Sequence, residues 1–196
     1  MWTFVLLFWL ICIGGGYTYL LRYSFTAGLS IPAPERFSSP GVAQASSTRA
    51  RLLIALHPRC PCSRATLHEL AKIMSRATNA CDVTALIFTP KGDSEDWLKG
   101  GLVNECRRLQ CRIQADPGGE IAASLGCLTS GAVVLYDGAG KLRYQGGITG
   151  SRGHEGDNDG ERTVLEILRG QHGSFSALPV FGCPIRSALS RGESLQ

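Results

Sequence analysis

The sequence predicts one α/β domain, a mixed sheet with helices on both faces, preceded by a single N-terminal transmembrane helix. Three observations carry this. Trp2 to Leu21 contains no charged side chain. Short apolar runs at Leu52–Leu56 and Val83–Phe88 are separated by a segment with helical spacing. Val133–Tyr136 and Leu142–Gln145 flank Asp137-Gly138-Ala139-Gly140-Lys141, the signature of a hairpin.

At 1.5 Å per residue, Trp2–Leu21 matches the hydrocarbon core of a bilayer, with Trp2, Tyr17 and Tyr19 near its ends. A cleaved signal peptide built on Phe4–Ile13 is the alternative. No Lys or Arg precedes that run, and the only A-x-A site, Ala43-Gln44-Ala45, lies far downstream, which favours an uncleaved anchor. Residues 22–50, with Pro32, Pro34 and Pro40 among Ser, Ala and Gly, read as a linker holding the domain off the bilayer.

The domain itself is expected over residues 51–170. Leu52–Leu56 reads as a strand buried on both faces, ending in His57-Pro58-Arg59-Cys60-Pro61-Cys62. Leu67, Leu70, Ala71 and Met74 place a helix after it, and Val83–Phe88 a second buried strand. A helix over Trp97–Leu109 would align Leu98, Leu102, Cys106 and Leu109. A short helix, Glu120–Leu125, precedes the hairpin. A last helix, about Gly160 to Arg169, buries Val164, Leu165, Ile167 and Leu168 and stops at Gly170. The order is β-α-β-α-(α)-β-β-α, and residues 171–196 form an extended tail.

Composition limits function. With 44% hydrophobic residues the chain can build a core, and disorder, collagen and coiled coil are excluded. A net charge of +4, with 20 scattered basic residues, leaves no footprint for nucleic acid. Eight cysteines point to sulfur chemistry or metal binding, and to an oxidising compartment. Arg22, Arg36, Arg49 and Arg51 after the span argue for the cytoplasmic side instead. The cysteine content is given the greater weight, so the domain is expected outside the cytoplasm.

Over about residues 50–170 the chain resembles the thioredoxin-like superfamily. The residues that carry this are the strand leading into Cys60-Pro61-Cys62 at a helix start, the Asp116…Gly126 segment, and Val133-Val134-Leu135-Tyr136-Asp137 with its Gly-Lys turn. Within the superfamily it is similar to the membrane-anchored RedB-type proteins. The shared features are the CPC motif, a Gly-His-Glu-Gly-Asp-Asn loop and a Phe-Gly-Cys-Pro tail. Two departures stand out. One residue separates the cysteines where thioredoxins have two, and Ser130-Gly131 occupies the place of their cis-proline.

Pro61 fits the first helical position and Cys60 the cap. A capping thiolate there would accept an amide of Cys62 or Ser63 and feel the positive helix end, with Arg59 and Arg64 adding charge. A lowered Cys60 pKa is therefore expected, with Cys62 as a nearby resolving thiol. The resemblance also implies that the loop after the last hairpin strand approaches Cys60. That loop carries His154, a proton donor or metal ligand, while His57 is a second candidate and His68 and His172 read as surface positions. Glu155–Gly160 followed by Glu166 nearly fits a calcium loop, although Asp157, Asn158 and Asp159 are equally good helix caps. From Gly170, the thirteen residues to Cys183 reach at most about 43–47 Å, enough to return to the CPC edge.

The expected function is membrane-tethered thiol–disulfide exchange with protein thiols or disulfides, or a redox partner, through Cys60, Cys62, His154 and Cys183, without a cofactor. The alternative is a copper(I) or other soft-metal protein using the same four residues. A thiol peroxidase is less favoured because no Pro-x-x-x-Thr/Ser-x-x-Cys arrangement is present. Cys81 and Cys106 read as packed thiols.

Overall fold

Leu52–Leu56 has no polar alternation because both faces of its strand are covered, and all five side chains are buried. This strand, β1 (Ala50–Leu56), lies inside a six-stranded sheet in a computed structural model describing residues 2–38, 49–92, 95–171 and 174–186. The remaining elements are α1 (Trp2–Phe25), α2 (Pro61–Arg76), β2 (Cys81–Thr89), α3 (Gly101–Arg108), β3 (Arg112–Pro117), α4 (Glu120–Ser124), β4 (Ala132–Tyr136), β5 (Leu142–Gly147), α5 (Asp159–Leu168) and β6 (Ser176–Ala177).

The sheet order is β3-β2-β1-β4-β5-β6. β2 runs parallel to β1, with Leu52 opposite Val83 and Ile54 opposite Ala85. β4 runs antiparallel to β1, and β5 antiparallel to β4, so β5 is parallel to β1. This is the thioredoxin-like arrangement, with β3 and β6 added at its edges.

Strand periodicity divides the core into two layers. Leu52, Ile54, Leu56, Val83, Ala85, Ile87, Val133 and Leu135 pack with Leu67, Leu70 and Ile73 of α2, Leu102, Val103 and Cys106 of α3 and Val164 of α5. On the other face, Leu53, Ala55, Leu86, Val134 and Tyr136 pack with Ala122 of α4 and with Ala33, Val180 and Ile185. Those last three belong to the segments expected to be linker and tail.

The structure departs from the sequence reading at four places. The helix expected over Trp97–Leu109 is split: a 3-10 turn, Asp96–Leu98, ends before Gly100, whose φ of +126° interrupts the helical path ahead of α3. β3 was not anticipated. It is a largely polar edge strand, parallel to β2 through Thr84–Thr89. α1 runs four residues past Leu21 to Phe25 and is apolar and long enough to cross a bilayer.

The fourth departure concerns residues 26–37, which lie along the domain rather than apart from it. The Gly28 N–H donates to Val180 O at 2.8 Å, and the Leu142 N–H donates to Glu35 O at 2.8 Å. The buried Gln145 amide clamps this strap from both sides, accepting from the Ala33 N–H at 2.9 Å and donating to Ile31 O at 2.6 Å. Pro40 and the Ala43-Gln44-Ala45 site lie outside the described residues.

Candidate functional site

β1 ends by delivering His57-Pro58-Arg59-Cys60 to the start of α2. Cys60 is the residue before the helix, with an extended backbone (φ −105°, ψ 121°), and Pro61 opens the helix where no N–H is needed. The turn is closed by the Cys60 N–H to His57 O (3.0 Å) and the Ser63 N–H to Cys60 O (3.1 Å). The Thr66 hydroxyl donates to Cys62 O at 2.9 Å.

Two buried hydroxyls pin this turn to the chain entering β4. Ser63 Oγ donates to His57 O at 2.9 Å, so the 2.7 Å contact with Ser130 Oγ is donated by Ser130. The His57 N–H points at both oxygens, 3.2 and 3.1 Å away. Gly131 follows with φ +91°, and a Cβ there would stand 2.6 Å from Thr66 Oγ1, so only glycine fits beside α2. Ser130-Gly131, in place of a proline, thus acts as a brace.

The tail arrives at the same point. β6 pairs with β5 at Tyr144 and Gln145, and the Leu178 N–H continues the ladder to Gln145 O. Val180 and Ile185 are buried anchors on either side of Gly182-Cys183-Pro184. Between them the Ser130 N–H donates to Cys183 O at 2.8 Å, and the Ile185 N–H to Leu128 O at 3.0 Å. The Arg152 guanidinium donates to Gly182 O. Gly182 is required here, because a Cβ would overlap the Ser130 carbonyl.

The outcome is a cluster of three sulfurs, Cys60, Cys62 and Cys183, all within 4.8 Å of one another. Cys60 and Cys62 are each only 5% exposed, and Cys183 is half-buried. The Cys60 thiol is pulled down to about 4, chiefly by the Cys62 thiol donating to its sulfur. The backbone N–H and thiol of Cys183 and the N–H of Cys62 assist, against an opposing cost of burial. Cys62 is pushed up, first by that hydrogen bond to Cys60, then by burial and the Cys60 charge. Cys183 is also pushed up, first by burial and then by Cys60, while the Arg152 charge works the other way.

The lowered Cys60 value therefore has a different origin from the one expected. Its side chain makes no regular capping hydrogen bond. The Arg59 guanidinium stacks over Trp97, 4.1 Å from the ring centre, and is turned to that ring. Neighbouring thiols take the place of the arginines and outweigh the helix start, from which the Cys62 N–H still assists.

The histidines divide. His154 lies exposed on the loop after β5 and is outside the sulfur cluster. His57 stacks on Phe88 at 5.0 Å and meets the edge of Trp97 at 5.7 Å. Its Nδ1 accepts the Arg59 N–H at 3.2 Å, and burial lowers its pKa against the opposing pull of the Cys60 charge. His68 pairs with Glu155 at 2.6 Å and Glu105 at 3.1 Å. His172 lies outside the described residues. The calcium-like segment is used as a cap: Asn158 accepts the Glu161 N–H at 2.9 Å. Among the described residues, only the three cysteines bring enough potential ligands together to share an ion.

Cys106, Cys111 and Cys127 are buried in the core, Cys81 packs against it, and Cys12 is exposed on α1. Burial pushes Cys81 and Cys106 up to about 11, and Cys111 and Cys127 up to about 12. A cavity of about 340 Å³ among Arg49, Arg51, Asp82 and Arg112 opens at the start of β1 and β2, the end of the sheet opposite the CPC turn. The residues that sequence reasoning missed are Ser63, Ser130 and Arg152. A serine inside a buried helix face was the only signal for the first.

No protein-family model and no curated protein matches the chain. Among solved structures it is similar to a hypothetical protein from Sinorhizobium meliloti, with 21% identity over 84% of this chain and 98% of that one, and a TM-score of 0.57. An uncharacterized conserved protein from Geobacillus kaustophilus gives 18% identity over 83% and 94%, with a TM-score of 0.56. A thioredoxin-like protein solved in its oxidized form gives 14% over 77% and 99%, with a TM-score of 0.48. At these identities the likeness is one of fold. The chemistry must be argued from this chain's own residues.

Proposed function

We propose that this chain is a membrane-tethered thiol–disulfide oxidoreductase acting on protein thiols or disulfides, with its domain outside the cytoplasm. The observation that supports it best is the cluster of three sulfurs within 4.8 Å, one of them a stabilised thiolate. The resemblance of its CPC motif and Phe-Gly-Cys-Pro tail to RedB-type proteins agrees with this reading.

In the reducing direction, the Cys60 thiolate attacks one sulfur of a partner disulfide. A Cys60–partner bond forms, the partner S–S bond breaks, and one partner thiolate leaves. A second thiol of the cluster, losing its proton, attacks the Cys60 sulfur and expels the other partner thiolate. Two electrons and the one proton of the second thiol pass to the partner, the second proton comes from solvent, and one internal disulfide remains. The reverse sequence oxidises a dithiol. His154, the exposed imidazole of the neighbouring loop, is assigned the proton transfer to the leaving thiolate.

The same cluster favours a second reading. Three converging cysteine sulfurs, once deprotonated, are a soft donor set suited to copper(I), and Cys60, Cys62 and Cys183 would hold the ion. One preparation decides between them. The full chain in detergent is assayed for dithiothreitol-driven insulin reduction, and the same sample is analysed for metal. Turnover that disappears in Cys60→Ser supports the oxidoreductase. Stoichiometric copper(I) without turnover supports the metal reading and overturns the first.

A further inference from the structure

We infer that Cys183, not Cys62, is the resolving cysteine, so that the oxidised chain carries a Cys60–Cys183 disulfide fastening the tail to the domain while Cys62 stays a thiol. This rests on the thiol–disulfide reading and names the second sulfur, which that reading leaves open.

Ring closure is the first argument. A Cys60–Cys62 bond must close across Pro61 alone, whose φ is fixed near −65°. Pro61 is also the first residue of α2, and its turn is held by the Ser63 N–H on Cys60 O and the Thr66 hydroxyl on Cys62 O. Closing that small ring strains the first helical turn. Cys183 belongs to a separate extended segment, and a bond from it to Cys60 meets no such constraint.

The second argument is placement. Cys183 is not a free end that must find its partner. The strand is fixed on one side by Ser130 N–H to Cys183 O and on the other by Arg152 to Gly182 O. Buried Val180 and Ile185 hold it fore and aft. This fixing keeps its sulfur within 4.8 Å of Cys60.

Charge supplies the third argument. In the reduced cluster the Cys60 thiolate suppresses ionisation of both neighbours. Once Cys60 is bonded to a partner, that negative charge is gone. Cys183 then retains the Arg152 guanidinium beside it, whereas Cys62 retains only a hydrogen bond from the Gly153 backbone. A full positive charge favours a thiolate more than a neutral amide does. Cys62 therefore serves as a positioning residue, its thiol donating to Cys60 and keeping it ionised.

The steps balance. Cys60 attacks a disulfide and releases one thiolate. Cys183 loses its proton, attacks the Cys60 sulfur and releases the second thiolate, and Cys62 is unchanged. The test treats the reduced full chain in detergent with oxidised glutathione, quenches with acid, alkylates the remaining thiols and maps the peptides. Wild type should give a Cys60–Cys183 linkage with Cys62 alkylated. Cys183→Ala should retain glutathione on Cys60. Cys62→Ala should lose the adduct to the Cys60–Cys183 bond, after a slower first step that Cys62→Ser partly restores.

A wild-type Cys60–Cys62 linkage, or an adduct that persists in Cys62→Ala and is resolved in Cys183→Ala, overturns the inference and leaves the exchange reading intact. Absence of both a glutathione adduct and a disulfide at Cys60 in all four proteins overturns both.

Discussion

At the scale of single residues, the distinctive feature is a thiolate kept charged by thiols. Cys60 is nearly buried, and burial alone would raise its pKa; hydrogen bonds from Cys62 and Cys183 outweigh that cost. Its alkylation rate should follow an apparent pKa near about 4, far below the free-thiol value of about 8.5. Cys62→Ala should raise that value, and a wild-type value at or above about 8.5 would contradict the assignment.

The same shift makes reduced-state stability depend on pH. Because the folded value lies below the ordinary 9.0, the thiolate contributes stability that is complete above about 9 and lost as pH falls toward about 4. Cys106, Cys111 and Cys127 act oppositely: shifted up to about 11 or 12, they disfavour the fold as pH rises above about 9. The denaturation advantage of reduced wild type over Cys60→Ala should therefore be larger at about pH 8 than at about pH 5. An advantage that grows on acidification would refute this. What the sequence revealed at this scale was Cys60 itself, through the Pro that follows it. The source of its acidity was legible only in part: the main donor, Cys62, stands two residues on, whereas Cys183, which assists, lies 123 positions away in the chain.

At the scale of elements, legibility followed side-chain pattern. β1, β2 and the β4–β5 hairpin were visible because burial on both faces demands unbroken apolar runs and the turn demands Gly. β3 escaped because an edge strand is half solvated: Arg112-Ile113-Gln114-Ala115-Asp116 alternates, but with only Ile113 and Ala115 as apolar positions the pattern is too short and too polar to stand out. The strap 26–37 escaped for another reason, as did the docking of the tail, of which only the reach of Cys183 to the CPC edge was legible. Both segments dock largely through main-chain hydrogen bonds, to Gln145, Gly126, Gly140 and Ser130, which impose almost no side-chain periodicity. The tail's one strict requirement is Gly182. Its substitution by Ala would force a methyl group into the Ser130 carbonyl, at a cost of about 1–3 kcal/mol if the strand stayed in place. The strand should instead detach. Gly182→Ala is expected to leave the circular dichroism of the domain unchanged while Cys183 and Cys60 become faster to alkylate. Unchanged protection of both would show that the pairing with Ser130 does not cover the site.

At the scale of the whole molecule, α1 and the sulfurs are joined by one side chain. Arg152 donates to Tyr23 O at 3.0 Å and to Thr26 O at 3.3 Å, stacks over the Tyr23 ring, and reaches Gly182 O beside Cys183. Its own N–H donates to Ser24 O at 3.0 Å. α1, 24 residues and about 36 Å long, therefore ends against the loop that positions the cluster. If α1 spans the bilayer, the sulfurs lie close to the headgroups, and the side on which they lie fixes which partners they meet. Four arginines after the span, Arg22, Arg36, Arg49 and Arg51, favour the cytoplasm by charge count. Two of these are engaged within the fold: Arg49 pairs with Asp82 at 3.2 Å, and Arg51 stacks over Phe37 at 4.9 Å. A folded domain of this size crosses with less regard to such charges than a short loop does. A reporter that is active only after export, fused behind Gln196 of the full chain, should accordingly be active. Activity of a cytoplasm-only reporter instead would place Cys60, Cys62 and Cys183 in a reducing compartment, where an open three-thiol cluster would be the resting state and the soft-metal reading would gain.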